Sequence, residues 1–175
     1  LRRGSATDGV EACAASNIRT DIRKARSRFG LVTRIGSPSE LAVAVSGTWK
    51  RKGLRMTNAP SDLCRIAEAV SARGHGEVRI VVGEAGEVCA ATLVAWDRTT
   101  AYYLAGGSVD EAVGTGAMSL CLAAAVEAAH DRGLDFDFEG SMIEGVARFF
   151  AAFGGEQVPY FHIARTPSTA MRGLR

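Results

Sequence analysis

The stretch that decides the fold is EVRIVVGEAGEVCAATLVAWDRTTAYYLAG, residues 77–106. It contains three segments rich in Val, Ile, Thr and Tyr, at 77–83, 87–97 and 100–106, and this composition is typical of β-strands. The segments are separated only by short links of turn-forming residues. Because strands joined by such short links pair antiparallel, the stretch predicts a three-stranded meander.

The chain before the meander predicts helices and one short strand. Apolar residues recur at helical spacing over 17–29, Gly30 follows in the position of a C-terminal cap, and 31–35 suits a strand. The sequence Ser-Pro-Ser-Glu at 37–40 has a capping Ser, a Pro at the first helical position and a Glu three residues after the cap. It therefore predicts a helix that runs to about Lys52.

Helices and strands alternate in the remainder of the chain. One more helix is predicted before the meander, over 61–73. After the meander, the sequence predicts an Ala-rich helix over 117–131, a strand over 134–139, a helix over 143–153 and a strand over 158–164. The order predicts a mixed α/β (α+β) fold in which a strand–helix–strand unit adds parallel pairing to the sheet. The buried stripe of the Ala-rich helix is predicted to consist of Met118, Leu122, Val126 and Ala129.

Composition excludes several classes of protein. The 175 residues are 47% hydrophobic and 23% charged, which is typical of a globular domain rather than of a disordered chain or a coiled coil. No apolar run approaches the ~20 residues that cross a bilayer, so no membrane span is expected. The four cysteines form no CxxC pair and lie far from the histidines, which predicts buried thiols in a reducing, cytoplasmic compartment and no metal site.

Charge is distributed unevenly along the chain. Residues 1–60 hold 12 of the 21 Lys and Arg but only 4 of the 19 acidic residues, a net charge of +8, and the remainder carries −6. A basic front half is expected to meet a polyanion such as RNA, or to be a solvated face near its own acidic body. The candidate phosphate-binding cations are Arg23, Lys24, Lys50 and Arg51.

A glycine-bearing loop precedes the Ala-rich helix. Gly114, Gly116 and Ala117 have the spacing of an acyl-CoA pyrophosphate loop, which commonly reads Gln or Arg, two residues, Gly, any residue, then Gly or Ala. Glycines before a helix let backbone N–H groups approach an anion. The first position is Glu111, whose carboxylate would repel a pyrophosphate, so a plain turn is the other interpretation.

Acidic and aromatic residues alternate at 135–139. On a strand, Asp135, Asp137 and Glu139 would share one face and two phenylalanines the other. Such a row of carboxylates suits a general base or proton relay for an amine nucleophile, or else a solvated strand face. Aromatic candidates for a substrate pocket are Trp49, Tyr102 and Tyr103, although core packing is the commoner role of such residues.

Several of these motifs resemble a known family. AYYLAGGS at 101–108, GAM at 116–118, FDFEGSM at 136–142 and FFAAFGG at 149–155 look like the Fem-type branch of the GNAT acyltransferase superfamily. The resemblance covers about residues 17–165. It implies a GNAT-like fold and an enzyme that forms an amide or peptide bond by taking an amino acid from aminoacyl-tRNA.

The resemblance also implies site residues. Leucyl/phenylalanyl-tRNA–protein transferases carry an Asp-x-Gln motif on the equivalent strand, and the matching positions here are Asp137 and Glu139. A proton-handling role is therefore expected of these two residues, with Ser141 among the substrate-binding groups. The acceptor would be the amine of a peptide or small molecule. No cofactor is expected besides the aminoacyl-tRNA co-substrate.

Domain organisation follows from the same resemblance. We predict a basic helical arm and first strand at 1–35 and a single GNAT-like acyltransferase domain at 36–175. Fem-type proteins usually contain two such domains. A stand-alone domain would resemble the small tRNA-dependent transferases of peptide-antibiotic biosynthesis, acting alone or as a homodimer, and the other interpretation is that a second domain belongs to a longer enzyme. Two alternative functions stay open: an acetyl-CoA-dependent or other acyl-CoA-dependent N-acyltransferase, and a degenerate GNAT binding module.

Overall fold

A computed structural model describes residues 9–53, 60–159 and 163. A five-stranded mixed sheet is flanked by helices, which confirms the predicted fold class. The elements, in chain order, are α1 (Val10–Cys13), α2 (Ser16–Phe29), β1 (Val32–Ile35), α3 (Pro38–Arg51), α4 (Pro60–Ala72), β2 (Gly76–Val82), β3 (Val88–Trp96), β4 (Thr100–Ser108), a 3-10 turn (Asp110–Ala112), α5 (Ala117–Asp131), β5 (Asp135–Asp137) and α6 (Glu144–Ala151).

The strands lie side by side in sequence order, β1-β2-β3-β4-β5. β2, β3 and β4 pair antiparallel, as the meander predicts, β1 adds to β2 antiparallel, and β5 pairs parallel with β4 across the α5 crossover. None of the helices in the described ranges is both long and apolar enough to cross a membrane.

The sheet separates two hydrophobic cores. One core contains buried residues of α3 and α4 packed against alternate strand residues such as Ile80 and Leu93. The other contains buried residues of α1, α2, α5 and α6, together with Val81, Val94 and Phe136. Because strand side chains alternate between faces, the near-continuous apolar run of β3 supplies both cores at once.

The start of α3 is capped as the sequence predicts. Glu40 N donates to Ser37 Oγ at 3.3 Å, and Ser37 N donates to Glu40 Oε2 at 2.7 Å. Arg34 Nη2 forms an ion pair with Glu40 Oε1 at 2.6 Å. The hydrogen bonds from Arg34 and Ser37 lower the pKa of Glu40 to about 2.

This cap makes stability depend on pH. Because folding lowers the pKa of Glu40 from 4.5 to about 2, its contribution is complete above pH 4.5 and is lost as the pH falls towards 2. We expect Glu40→Gln to unfold at lower urea concentration than the wild type at pH 7, and the two midpoints to converge between pH 4.5 and 2. A midpoint difference that is the same at pH 7 and at pH 2.5 would contradict this.

The Ala-rich helix α5 is buried more fully than predicted. Leu122, Val126 and Ala129 are buried, but Met118 is only partly so, and most of the remaining helix surface is buried too. The single predicted stripe is therefore too narrow. The reason is that α5 lies between the sheet and α2, so two sides of the helix are covered, and small alanines allow both approaches.

In the second half of the chain, the structure differs from two of the predicted strands. β5 ends at Asp137 rather than at Glu139, because Asp137 Oδ1 accepts a hydrogen bond from Glu139 N at 2.7 Å and Glu139 adopts a left-handed φ of 60°. The three carboxylates therefore do not share one strand face. The sequence also predicts a strand over 158–164. Residues 158, 159 and 163 are not in a strand, and 160–162 and 164 lie outside the described residues.

Candidate functional site

The strands β4 and β5 form a fork. They pair only from Thr100 opposite Asp135 to Tyr102 opposite Asp137, and β4 then continues to Ser108 paired with β3 alone. Within the described ranges, no strand residue pairs with the β5 side of this second half of β4. Its backbone groups therefore line an opening where they can hold the carbonyl oxygen of an acyl donor.

A bulge interrupts β4 inside the fork. The register with β3 jumps from Leu93 opposite Ala105 to Val94 opposite Tyr103, so Leu104 is the extra residue. Its side chain is 45% exposed. Bulges of this kind re-aim the backbone and are common beside active sites.

The end of β4 is fastened to the last turn of α3. A Cβ at Gly107 would lie 2.6 Å from the Ala44 carbonyl oxygen, so a glycine is needed for the helix to come this close. Ser108 N donates to Thr48 Oγ1 at 2.8 Å, and Arg51 Nη1 donates to the Ser108 carbonyl at 3.2 Å. These contacts bring the Arg51 side chain to the mouth of the opening.

A cleft of about 240 Å³ lies next to the fork. It is bounded by α2, the end of α3, the end of β4, the loop before α5, the first turn of α5, and Phe149 of α6. Gly116 caps α5 in a left-handed conformation with a φ of 86°. The backbone N–H groups of the first turn of a helix lack intrahelical partners and favour negative charge nearby.

Charged side chains around the cleft are engaged with the protein itself. Arg51 Nη1 pairs with Asp110 Oδ1 at 2.7 Å, and Lys24 Nζ donates to the Gly114 carbonyl. Ser119 Oγ donates to Asp21 Oδ2 at 3.3 Å. Both positive and negative charges thus surround the cleft.

The structure brings together most of the predicted donor-binding residues. Arg51, Gly114, Gly116 and Ala117 line the cleft, and Lys24 contacts its loop. Arg23 and Lys50 are exposed and do not line it. Two positions separate Arg23 from Asp21, which places them on nearly opposite sides of α2.

The predicted substrate-binding aromatics lie in three environments. Trp49 is partly buried against the core beneath α3 and α4. Tyr102 Oη donates to Asp97 Oδ2 at 3.0 Å, which raises the pKa of Tyr102. The Tyr103 ring packs edge-on against Phe150, with centroids 5.3 Å apart, and burial raises the pKa of its hydroxyl.

Asp97 and Ser141 have local structural partners. Backbone N–H groups of Thr99 and Thr100 and the Tyr102 hydroxyl lower the pKa of Asp97 to about 2, so it is an anion that closes the β3–β4 turn. Ser141 Oγ accepts a hydrogen bond from Ile143 N at 3.1 Å at the start of α6.

The predicted proton acceptors lie at the fork rather than in the cleft. Asp137 is the last residue of β5, opposite Tyr102, where the two strands part. Its side chain is exposed, as is that of Glu139 in the turn that follows, and neither lines the cleft. Of the two, Asp137 is the one held by the sheet.

Sequence reasoning overlooked Asp21 and Ser119. Asp21 is the one acidic residue of a helix that is otherwise strongly basic, and the charge pattern of that helix points to its cations as the ligand-binding groups. Ser119 is 3% exposed and is one small residue in an Ala-rich helix. The spacing of Asp21 and Lys24 on one helix face was a weak signal. Across the residues that the structure describes, no three His, Cys, Asp or Glu side chains group as metal ligands would.

Several solved structures are similar in fold to this chain. FemX matches with a TM-score of 0.70 at 16% identity, covering 81% of this chain and 54% of FemX, so the chain spans about half the length of that protein. The enzyme AAC(6')-Iy, solved with the bisubstrate analog CoA-S-monomethyl-acetylneamine, matches with a TM-score of 0.58 at 12% identity, covering 79% and 99%. Glucosamine-6-phosphate N-acetyltransferase from Arabidopsis thaliana matches with a TM-score of 0.54 at 10% identity, covering 79% and 99%.

At these identities the likeness shows the fold alone, and no curated protein matches the sequence. The sequence itself matches a family model, described as acetyltransferase (GNAT) domain, over residues 14–150. This match includes the whole sheet, the fork and the cleft, and more than three quarters of the chain. The chain therefore belongs to the GNAT acetyltransferase domain family.

Proposed function

We propose that this GNAT acyltransferase moves an amino acid from aminoacyl-tRNA to the amine of a peptide or small-molecule acceptor. The observation that carries the proposal is that two basic helices border one cleft. Helix α2 lines it through Asp21 and contacts its loop through Lys24, and the end of α3 lines it through Arg51. Arg23 of α2 and Lys50 of α3 are exposed cations outside the cleft, on the same two helices, and they suit the phosphates of an RNA.

The fork supplies the reacting geometry in this proposal. The acceptor's neutral amine attacks the ester carbonyl, the C–N bond forms, and negative charge develops on the carbonyl oxygen. Backbone N–H groups of β4 around the Leu104 bulge stabilise that charge. Asp137 accepts the amine proton and returns it to the ribose oxygen of the tRNA as the C–O bond breaks.

Little further chemistry is required of the protein. An aminoacyl ester is already activated, so holding the ester and the amine in a reactive geometry is the main contribution. The acceptor is expected on the Tyr102 side of the fork, and Glu139, Ser141 and Trp49 complete the proposed acceptor-binding set. We place such a reaction in the cytoplasm, where aminoacyl-tRNA is made, and peptide-antibiotic biosynthesis is one setting for it.

The test is a transfer assay with tRNA charged with labelled amino acids and a mixture of small peptides and amines. Product is the label that, after mild alkali, separates chromatographically from the free amino acid, because amides persist where esters hydrolyse to that amino acid. We expect product with intact aminoacyl-tRNA and none after ribonuclease digestion of the donor. Equal product from digested donor would refute the proposal, and no product from either donor class would favour a binding module.

Acetyl-CoA is the second candidate donor. Gly114, Gly116 and the first turn of α5 line the cleft, as a pyrophosphate-binding loop would, and AAC(6')-Iy matches this fold with a CoA-containing analog bound. A parallel assay with labelled acetyl-CoA and the same amines separates the candidates. Product from acetyl-CoA alone would replace the aminoacyl proposal with this one.

A further inference from the structure

We propose that the Asp21 carboxylate occupies the place at the N-terminus of α5 where an anion would otherwise bind. It thereby makes the cleft reject donors that carry a pyrophosphate. The inference rests on the proposed function, since it concerns the donor side of the same site. In this inference, the Asp21 carboxylate is the group that excludes CoA-type donors.

The first step concerns where Asp21 lies. Its carboxylate accepts a hydrogen bond from Ser119, the third residue of α5, and both residues line the cleft. The Asp21 main chain also touches the cap of α5, because a Cβ at Gly116 would lie only 2.2 Å from the Asp21 carbonyl oxygen. A negative charge at this helix end is stabilised by the helix dipole, as a bound phosphate would be.

The second step concerns how α2 is held there. Lys24 is three residues after Asp21, on the same face of α2, and donates to the Gly114 carbonyl of the loop. Ile18, Ile22 and Ala25 of α2 are buried in the core that also contains α5. The helix that carries Asp21 is therefore anchored by buried apolar side chains as well as by polar contacts.

The third step concerns the cation that an incoming pyrophosphate would need. Arg51 lines the cleft but is already paired with Asp110 at 2.7 Å. Glu111 stands in the loop position where pyrophosphate loops commonly have Gln or Arg. A pyrophosphate entering the cleft would thus meet the Asp21 carboxylate at the helix end, with the exposed Glu111 in the turn that precedes the loop, and repulsion between like charges opposes binding.

The experiment measures the binding of inorganic pyrophosphate and of CoA by isothermal titration calorimetry. Asp21→Asn removes the charge but keeps an oxygen that can accept from Ser119. We expect it to bind pyrophosphate at least about tenfold more tightly than the wild type, which is a modest effect for removing one nearby like charge. CoA should show the same direction of change.

Two matched variants separate the Asp21 charge from other effects. Ser119→Ala breaks the same hydrogen bond and leaves the carboxylate in place, so it should gain no affinity. Asp62→Asn removes an equal charge from α4, at a half-exposed side chain outside the cleft, and should also gain none. Should Asp21→Asn fail to fold, as judged by its melting curve, Asp21→Ser provides the same neutralisation.

The outcomes are exclusive. Tighter pyrophosphate binding by the Asp21 variants alone supports the inference. Unchanged binding, or an equal gain in Asp62→Asn, overturns it. The comparison needs no transfer activity, so a wild type that does not use aminoacyl-tRNA would refute the proposed function and leave this result standing on its own.

Discussion

An Asp137→Asn variant is expected to transfer its acyl group about 100 to 10,000 times more slowly than the wild type, the usual range for loss of a general base. The asparagine side-chain oxygen can still accept the hydrogen bond from Glu139 N that ends β5, so the melting temperature should hardly change. The measurement is the single-turnover rate at saturating donor, together with its pH profile. Because the proposed base is absent, the variant's rate should depend on pH much as the uncatalysed reaction does.

Three further variants make the Asp137 result interpretable. Asp137→Glu keeps a carboxylate and should recover part of the rate. Glu139→Gln should lose less than Asp137→Asn, since Glu139 lies in the turn after the strand. Glu144→Gln changes an exposed carboxylate of α6 and should match the wild type. Full activity of Asp137→Asn across the pH range would exclude Asp137 as the proton acceptor.

The second large effect is expected on stability, from Gly116→Ala. The backbone of Gly116 has a φ of 86°, which an L-residue adopts with strain, and the added Cβ would lie 2.2 Å from the Asp21 carbonyl oxygen. Since that atom is backbone, α2 and α5 must separate. Strain and overpacking together should lower the free energy of unfolding by about 2–4 kcal/mol.

Gly114→Ala is the matched control for this prediction. Gly114 also has a positive φ, of 78°, but no atom lies within 4 Å of the added Cβ. The variant should therefore lose only about 1 kcal/mol, the cost of the left-handed backbone conformation for an L-residue. Urea unfolding followed by circular dichroism measures both. Equal losses at the two glycines would show that α2 and α5 are not in close contact at the cap of α5.

Much of the architecture follows from local sequence signals. The capping box at Ser37 and Glu40, the Gly30 cap, and the three β-rich segments at 77–106 each depend on neighbours within a few residues, and the structure confirms all of them. The extent of β5 was not predictable in the same way. A side-chain hydrogen bond from Asp137 to the backbone ends that strand, although the alternation of residue types continues to Glu139.

The residues of the candidate site were likewise only partly predictable from the sequence. Gly114, Gly116 and Arg51 could be singled out from composition and spacing, and the structure places all three around one cleft. Asp21 could not, because its importance arises from contact with Ser119, which is 98 positions away along the chain. A carboxylate among arginines on a helix looks like a solvated residue until the surface opposite it is known.

The sequence by itself determined the order and type of the elements from α2 to α6, because hydrophobic period, caps and turn residues act over short separations. Its motifs, matched to a family model, determined the membership in the GNAT family. Only the tertiary structure decided where β4 and β5 part, which charges border the cleft and which of them are already paired. Those properties arise from long-range packing of α3 on the end of β4 and of α2 on α5, and a one-dimensional pattern carries no record of which surfaces come to face each other.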